Sequence, residues 1–341
     1  MTAQNPSHLH LSMTPTQTEV KQRVSNILVL GGSGFVGRSV CEKLVERSGG
    51  ADGRIVVPSR RPQRALHLRT LPTVELVDAD VHSEVELVHL LAGCDVVINL
   101  VAILHGSAAE FQRAHVDLPR QLVAACQVSG VKRVVHVSAL GAGADAPSHY
   151  LRSKAAGEAV LHAAGLDLTL LRPSVIFGEH DQFLNLFARL QAVAPVMPLA
   201  GAAARFQPVW VEDVAAAIVG ALDEPSSIGQ TVECGGPAIY TLEQLVRFAG
   251  RCAGCERPVI PLPDGIARLQ AMVMGWLPGA PLMSADNLDS MRVPNVLSGD
   301  FPGLEAFGIQ PAAMEGVMTP LLQHRAGVAR LDSLRAGARG R

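Results

Sequence analysis

A tyrosine and a lysine four residues apart are the side chains best placed to do chemistry. In Tyr150-Leu-Arg-Ser-Lys154 the phenol and the ammonium stand at i and i+4, on one face of any helix that contains them. The 341 residues hold only two tyrosines and four lysines. Chance would produce this spacing in roughly two per cent of such compositions. A phenol with its ordinary pKa near ~10 is a poor base at neutral pH, and an adjacent ammonium favours the phenolate. Tyr150 is therefore expected to move a proton, with Lys154 tuning it. Ser138, twelve residues upstream, is expected to donate a hydrogen bond to a substrate oxygen, with Ser148 a weaker substitute.

A second group of residues implies a phosphate-bearing ligand. Asn26-Ile-Leu-Val-Leu-Gly31-Gly32-Ser33-Gly34-Phe35-Val36-Gly37 sets an apolar strand directly before G-x-x-G-x-x-G, with a helix opening inside the motif. In this pattern Gly31 permits the sharp turn, Gly34 lets backbone approach a pyrophosphate, and Gly37 allows the helix to pack closely on the strand. The helix start supplies unpaired N–H groups and partial positive charge. The predicted ligand is a nicotinamide dinucleotide held by Gly31, Ser33, Gly34, Phe35, Val36 and Gly37.

The end of the second strand selects which one. A carboxylate there binds the adenosine ribose, whereas arginine accommodates a 2′-phosphate. This chain has Val57-Pro58-Ser59-Arg60-Arg61 and no acid. NADP(H) is expected over NAD(H), with Arg60 the first choice for the 2′-phosphate and Arg61 the second. Asp80 and Val81 follow the third strand, where a side chain meets adenine. Leu100, Val101 and Ala102 follow the fourth, where backbone approaches the ribose. Tyr150 and Lys154 then have a second use as a clamp on the nicotinamide ribose, without turnover.

The elements that must carry these residues are legible as alternating strands and helices. Strands are predicted at Asn26–Leu30, Arg54–Pro58, Val74–Val77, Asp95–Leu100, Arg133–Ser138 and Asp167–Leu171, with near-continuous apolar runs such as Val96-Val97-Ile98. Helices are predicted at Val36–Arg47, Phe111–Ser129 and Leu151–Ala164. This is a doubly wound α/β pattern, whose ligand crevice lies at the carboxyl ends of the strands. After Arg172-Pro173 frequent prolines break the rhythm. Helices at Val211–Leu222 and Leu242–Cys252 and a strand at Thr231–Cys234 remain. The expected organisation is a lead-in over 1–25, a Rossmann domain over 26–173, an interleaved C-terminal lobe over 174–323, and a tail over 324–341, with both ends disordered.

Composition excludes several classes. With 48% apolar and 18% charged residues and a net charge of -2, the chain is neither a disordered polyelectrolyte nor a general nucleic-acid binder. Cys94, Cys126 and Cys234 sit in apolar settings, which implies reduced thiols in the cytoplasm. Cys252-Ala-Gly-Cys255 lacks the further ligands a metal site needs. Residues 266–283 carry a single charge, Arg268, and read as buried core, or else as a surface for a membrane or protein partner with Trp276 at the interface.

Taken together, Gly31 to Gly37, Asn99 to Ala102, Ser138, Tyr150-x-x-x-Lys154 and Leu171-Arg172-Pro173-Ser174 resemble the extended short-chain dehydrogenase/reductase superfamily. The blocks Lys154-Ala-Ala-Gly157-Glu158, Arg172-Pro173-Ser174-Val-Ile-Phe177-Gly178 with Asp181 and Phe183, and Pro208-Val-Trp-Val-Glu212-Asp213 are similar to its atypical subgroup. That subgroup contains the nucleotide-binding accessory subunit of respiratory complex I and its bacterial relatives. The resemblance implies a Rossmann fold, a bound nicotinamide cofactor with Pro173 and Val175 beside the nicotinamide, and a lobe that sets substrate choice. Asp213 is read as a charge complementing a helix dipole. The short stretch from Ser138 to Tyr150 argues against sugar-nucleotide epimerisation. Two functions follow: an NADP(H)-dependent oxidoreductase or epimerase-like enzyme acting on a small carbonyl or hydroxyl compound, or a cofactor-holding assembly or sensor protein with a protein partner and a link to quinone chemistry.

Overall fold

The computed structural model describes residues 25–263, 265, 266, 268 and 284–323. The expectations for the lead-in before Ser25, for the tail from 324, and for most of 266–283 lie outside the described residues. In chain order the elements are β1 (Asn26–Leu30), α1 (Phe35–Ser48), β2 (Arg54–Ser59), β3 (Val74–Asp78), α2 (Glu84–Leu91), β4 (Val96–Asn99), α3 (Ala108–Gln112), α4 (Leu118–Ser129), β5 (Arg133–Val137), α5 (His149–His162) and β6 (Asp167–Pro173). They continue as β7 (Ile176–Phe177), α6 (Leu184–Val193), β8 (Met197–Ala200), β9 (Arg205–Phe206), β10 (Val209–Trp210), α7 (Val211–Asp223), β11 (Thr231–Cys234), β12 (Tyr240–Thr241), α8 (Leu242–Cys252), β13 (Val259–Leu262) and α9 (Ala285–Ser290).

Seven strands form one parallel sheet in the order β3-β2-β1-β4-β5-β6-β11. The order reverses between β1 and β4, and a doubly wound sheet opens its ligand crevice at such a point. Alternate residues of each strand feed opposite cores, as a pleated strand requires. Val29, Val57 and Ile98 pack with α1 and α7, whereas Leu28, Val56 and Val97 pack with α2 and α4. A third cluster lies in the C-terminal lobe, where Phe187, Leu245 and Phe248 meet Met314 and Met318. All six cysteines are free thiols. Among the described residues, no helix is long and apolar enough to cross a membrane.

The predicted helix over Phe111–Ser129 differs from the fold in an instructive way. It starts earlier, at Ala108, because Ser107 and Glu110 form a reciprocal capping box. It is then interrupted by one π turn over Arg113–Asp117. Pro119 has no N–H to return to the carbonyl four residues back, so the α register fails there. That carbonyl, of His115, instead lies against α5 at Gly157, where a Cβ would sit 2.0 Å from the oxygen. A glycine inside a helix costs about 1 kcal/mol relative to alanine. It is tolerated here because α5, which carries Tyr150 and Lys154, can approach the turn only without a side chain.

Replacing Gly157 by alanine should therefore destabilise the protein by about 1–3 kcal/mol, the range for overpacking. Gly316→Ala adds a Cβ that meets nothing within 4 Å and should not lower stability. Denaturant unfolding of the two variants checks the pair.

Candidate cofactor site at the carboxyl ends of the strands

The loop between β1 and α1 is built from contacts that leave no room for side chains. Gly31 has φ +79°, and a Cβ on it would lie 3.1 Å from the Leu100 carbonyl carbon and the Val101 nitrogen. A Cβ on Gly37 would lie 2.4 Å from the Gly32 Cα and 2.5 Å from the Gly31 oxygen. Gly34 caps α1 without a side-chain hydrogen bond, and the first turn contains no acid. The first intrahelical bond runs from the Arg38 N–H to the Gly34 carbonyl, so the amides of Phe35, Val36 and Gly37 precede it. Ser33 is half-buried beside them, and Gly34 is exposed. The rings and methyls of this turn are otherwise engaged: Phe35 lies against Gly178, and Val36 packs on the core. What the turn offers a ligand is backbone N–H and the positive end of a helix.

Arg60 and Arg61 follow β2 and are exposed, and neither guanidinium makes an ion pair or hydrogen bond among the described residues. Asp80 is partly engaged, since one carboxylate oxygen accepts from the His82 N–H at 3.1 Å. Val81 packs at the margin of the core beside it. At the exit of β4, Leu100 donates its N–H to the Leu30 carbonyl at 2.9 Å, and Val101 donates to the Asn99 side chain at 3.1 Å. Ala102 is exposed. Thus the turn from β1 and the exit of β4 face one another, through Gly31.

Ser138 follows β5 and is 5% exposed, and its hydroxyl oxygen is buried without a hydrogen-bond partner. A hydroxyl in that state is costly unless a ligand or water completes it. Ser148, the substitute expected from the sequence, is not available. Its oxygen caps α5 by accepting from the Leu151 N–H at 3.1 Å. Tyr150 sits in the first turn of α5 with its ring edge-on to His115 at 5.6 Å and to Phe111 at 6.0 Å. Lys154, one turn on, is 2% exposed and donates to the Val137 carbonyl at 2.8 Å.

The expected tuning of the phenol by the ammonium needs correction. Burial pushes the Tyr150 phenol up to about 12, and burial likewise pulls the Lys154 ammonium down to about 8, against an opposing pull from Glu158. No hydrogen bond joins Tyr150 and Lys154 among the described residues. In this arrangement desolvation outweighs the charge–charge attraction on which the expectation rested. Tyr150 is a protonated donor at neutral pH.

Pro173 is buried at the end of β6, and its carbonyl accepts from Leu140 at 3.0 Å. Val175 has both backbone groups spent: its N–H donates to Asn295 Oδ1 at 2.9 Å, and its carbonyl accepts from Val209 at 3.0 Å. The Val175 N–H is thus committed within the protein, which leaves its side chain and the second lone pair of its carbonyl for contact with a cofactor. Asp213 does begin a helix, α7, and it also accepts the Ala312 N–H at 2.8 Å, tying the C-terminal segment to the sheet domain.

Several residues escaped the sequence reading. Glu158 and Arg172 form a two-pronged ion pair that fixes α5 to β6, with one bond of 3.0 Å, and the guanidinium covers the Phe301 ring at 5.2 Å. The two lie within recognised blocks, but no spacing announces their pairing. His115 accepts from the Ile103 N–H at 3.1 Å and bonds Ser153 at 2.8 Å. Asn295 holds Ser174, Val175 and Gln207, and Asp286 reaches the first turn of α5. The last two lie far along the chain from their partners, 88 residues from Gln207 and at least 120 from the others, and stand in no motif.

Known proteins agree with this architecture. Residues 31–225 match the NAD(P)H-binding family. Over 90% of its length the chain is 30% identical to the NADH dehydrogenase [ubiquinone] 1 alpha subcomplex subunit 9 of Mus musculus, of which it covers 82%. It is 31% identical over 46% of its length to the 2-alkyl-3-oxoalkanoate reductase of Stenotrophomonas maltophilia, of which it covers 53%. A nucleoside-diphosphate-sugar epimerase of Staphylococcus aureus superposes on 87% of the chain, and on 99% of its own, with a TM-score of 0.67 at 19% identity, which is a likeness of fold. The protein thus belongs to the NAD(P)H-binding family, as an extended short-chain dehydrogenase/reductase-like chain homologous to the alpha subcomplex subunit 9 of NADH dehydrogenase.

Proposed function

We propose that this protein holds NADP(H) as a bound component rather than as a fast-exchanging reagent, and that it serves an assembly of the kind its respiratory relatives are named for. The observation that carries the reading is the tight glycine turn over Gly31–Gly37, where a Cβ on Gly31 or Gly37 would meet backbone, at a start of α1 that no side chain caps. When bound, a nicotinamide cofactor supplies a hydride donor or acceptor. The chain's residues fit it as follows. The amides of Phe35, Val36 and Gly37, with Ser33, take the pyrophosphate. Arg60, and then Arg61, pairs with the 2′-phosphate, for which a planar guanidinium is well suited. Asp80 and Val81 border the adenine, and the backbone of Leu100, Val101 and Ala102 borders the ribose. Lys154 and Tyr150 hold the nicotinamide ribose, with the side chain of Val175 and Pro173 behind it.

The state of Tyr150 counts against alcohol oxidation, the direction in which it would have to accept a proton. A phenol held near 12 does not accept a proton at neutral pH. The partner would be a protein surface, with the C-terminal lobe as the face presented to it. Six free thiols fit a reducing compartment such as the cytoplasm.

A second reading rests on Ser138. Its buried, unpartnered hydroxyl is suited to a substrate oxygen. In that reading the protein is a carbonyl reductase: the protonated Tyr150 gives its proton to the carbonyl oxygen, Ser138 orients that oxygen, and Lys154 restores charge balance. A neutral phenol favours this direction over alcohol oxidation.

Two outcomes test these assignments. Arg60→Ala should weaken NADPH binding about tenfold or more, the loss of one charge-assisted contact, while leaving NADH binding within twofold; equal losses for both nucleotides would remove Arg60 from the 2′-phosphate. Purified protein loaded with NADPH should keep its nicotinamide fluorescence when offered carbonyl, sugar-nucleotide and quinone compounds. Decay with one of them, abolished by Tyr150→Phe, would replace the holding function with the reductase.

A further inference from the structure

The backbone of Tyr150 is gripped from two sides, by Asp286 of the C-terminal lobe and by Ser153 one turn along its own helix. Helix α5 begins with unpaired amide donors, and its cap Ser148 satisfies only Leu151. The next two donors are taken by one carboxylate from the C-terminal lobe. The His149 N–H donates to Asp286 Oδ1 at 2.6 Å and the Tyr150 N–H to Asp286 Oδ2 at 3.0 Å. The nearby Arg152 is not a competitor, because its guanidinium is spent on the Ala146 and Pro147 carbonyls and on His149.

The other side of Tyr150 leads to the β4 exit. Its carbonyl accepts from the Ser153 hydroxyl at 2.8 Å, and Ser153 Oγ lies 2.8 Å from His115 Nδ1. His115 Nε2 accepts from the Ile103 N–H at 3.1 Å, so the ring proton is on Nδ1 and donates to Ser153. Burial pulls this imidazole down to about 3, with Lys154 adding to the effect, which leaves it neutral with its tautomer fixed. Ile103 directly follows the Leu100–Ala102 backbone. Donor and acceptor senses run without a break from Ile103 through His115 and Ser153 to Tyr150, and Asp286 closes the line. Asn287, beside Asp286 on α9, also donates to the Leu104 carbonyl at 3.4 Å.

We infer that Asp286 is a positioning residue, and that the line Asp286–Tyr150–Ser153–His115–Ile103 couples the C-terminal lobe to the cofactor loop. Leu288 on α9, with Met291 and Arg292 directly after it, lines a cavity of about 300 Å³ in that lobe. In this coupling a protein partner seated at that cavity acts through α9 on the turn that carries Tyr150. Linkage then requires that cofactor binding alter affinity at the lobe by the same factor. The inference rests on the reading that Tyr150, Lys154 and the β4 exit contact the nicotinamide ribose.

The test is a double-mutant cycle read by NADPH affinity on the full chain, which needs no turnover. Asp286→Ala and His115→Asn should each weaken NADPH binding several-fold, and the double variant by at least threefold less than the product of the two. Asp286→Asn, which keeps one acceptor, should recover part of the loss, and it carries the cycle if the alanine variant does not fold. Losses that simply multiply, or a folded Asp286 variant with unchanged affinity, would overturn the coupling. Absence of NADPH binding by the unaltered protein would instead sink the cofactor reading itself.

Discussion

Backbone meeting backbone, with no Cβ between, is the constraint on which the site depends. It occurs at Gly31, where the first turn touches the exit of β4, and at Gly37, where α1 rests on that turn. At Gly157 it recurs, where α5 rests on the π turn of His115. The first two contacts set the start of α1 over the crevice, and the third sets the height of the helix bearing Tyr150 and Lys154. Close packing makes such positions discrete, because a single methyl group has nowhere to go.

Burial then decides the chemistry of what those helices present. Lys154 points into the protein and bonds the Val137 carbonyl, while Glu158 pairs with Arg172 one turn further along α5. An ion pair in that setting gains little net stability, since desolvation offsets most of the attraction, but removing one partner would strand the other. Its evident effect is to fix α5 on β6. Ser138 is the contrast: a buried hydroxyl left unpaired at the end of β5, as is Nδ1 of His136 on the same strand.

The central strands were readable because they are short apolar runs covered on both faces, as Asn26–Leu30 and Val96–Asn99 illustrate. The glycine turn and the Tyr–Lys pair were readable because their chemistry demands local spacing. Other features depended on long-range contacts. The spacing of Tyr150 and Lys154 is visible in sequence, but the dielectric around them is not, so the expected phenolate gives way to a phenol held near 12. Ser148 looks like a spare catalytic hydroxyl until α5 is seen to begin directly after it. The π turn follows from Pro119, a local cause that helical periodicity alone conceals. Asn295 and Asp286 act across the lobes, where no pattern along the chain marks them.

The central claim is that the crevice between the β1 turn and the β4 exit takes the dinucleotide, with α5 closing it. Hydrogen–deuterium exchange of the full chain with and without NADPH addresses this most directly, since amides that gain a phosphate or lose solvent exchange more slowly. The account predicts new protection concentrated in peptides spanning 31–38, 99–103 and the first turn of α5. Protection confined to the C-terminal lobe, or none in the 31–38 peptide at saturating NADPH, would contradict it.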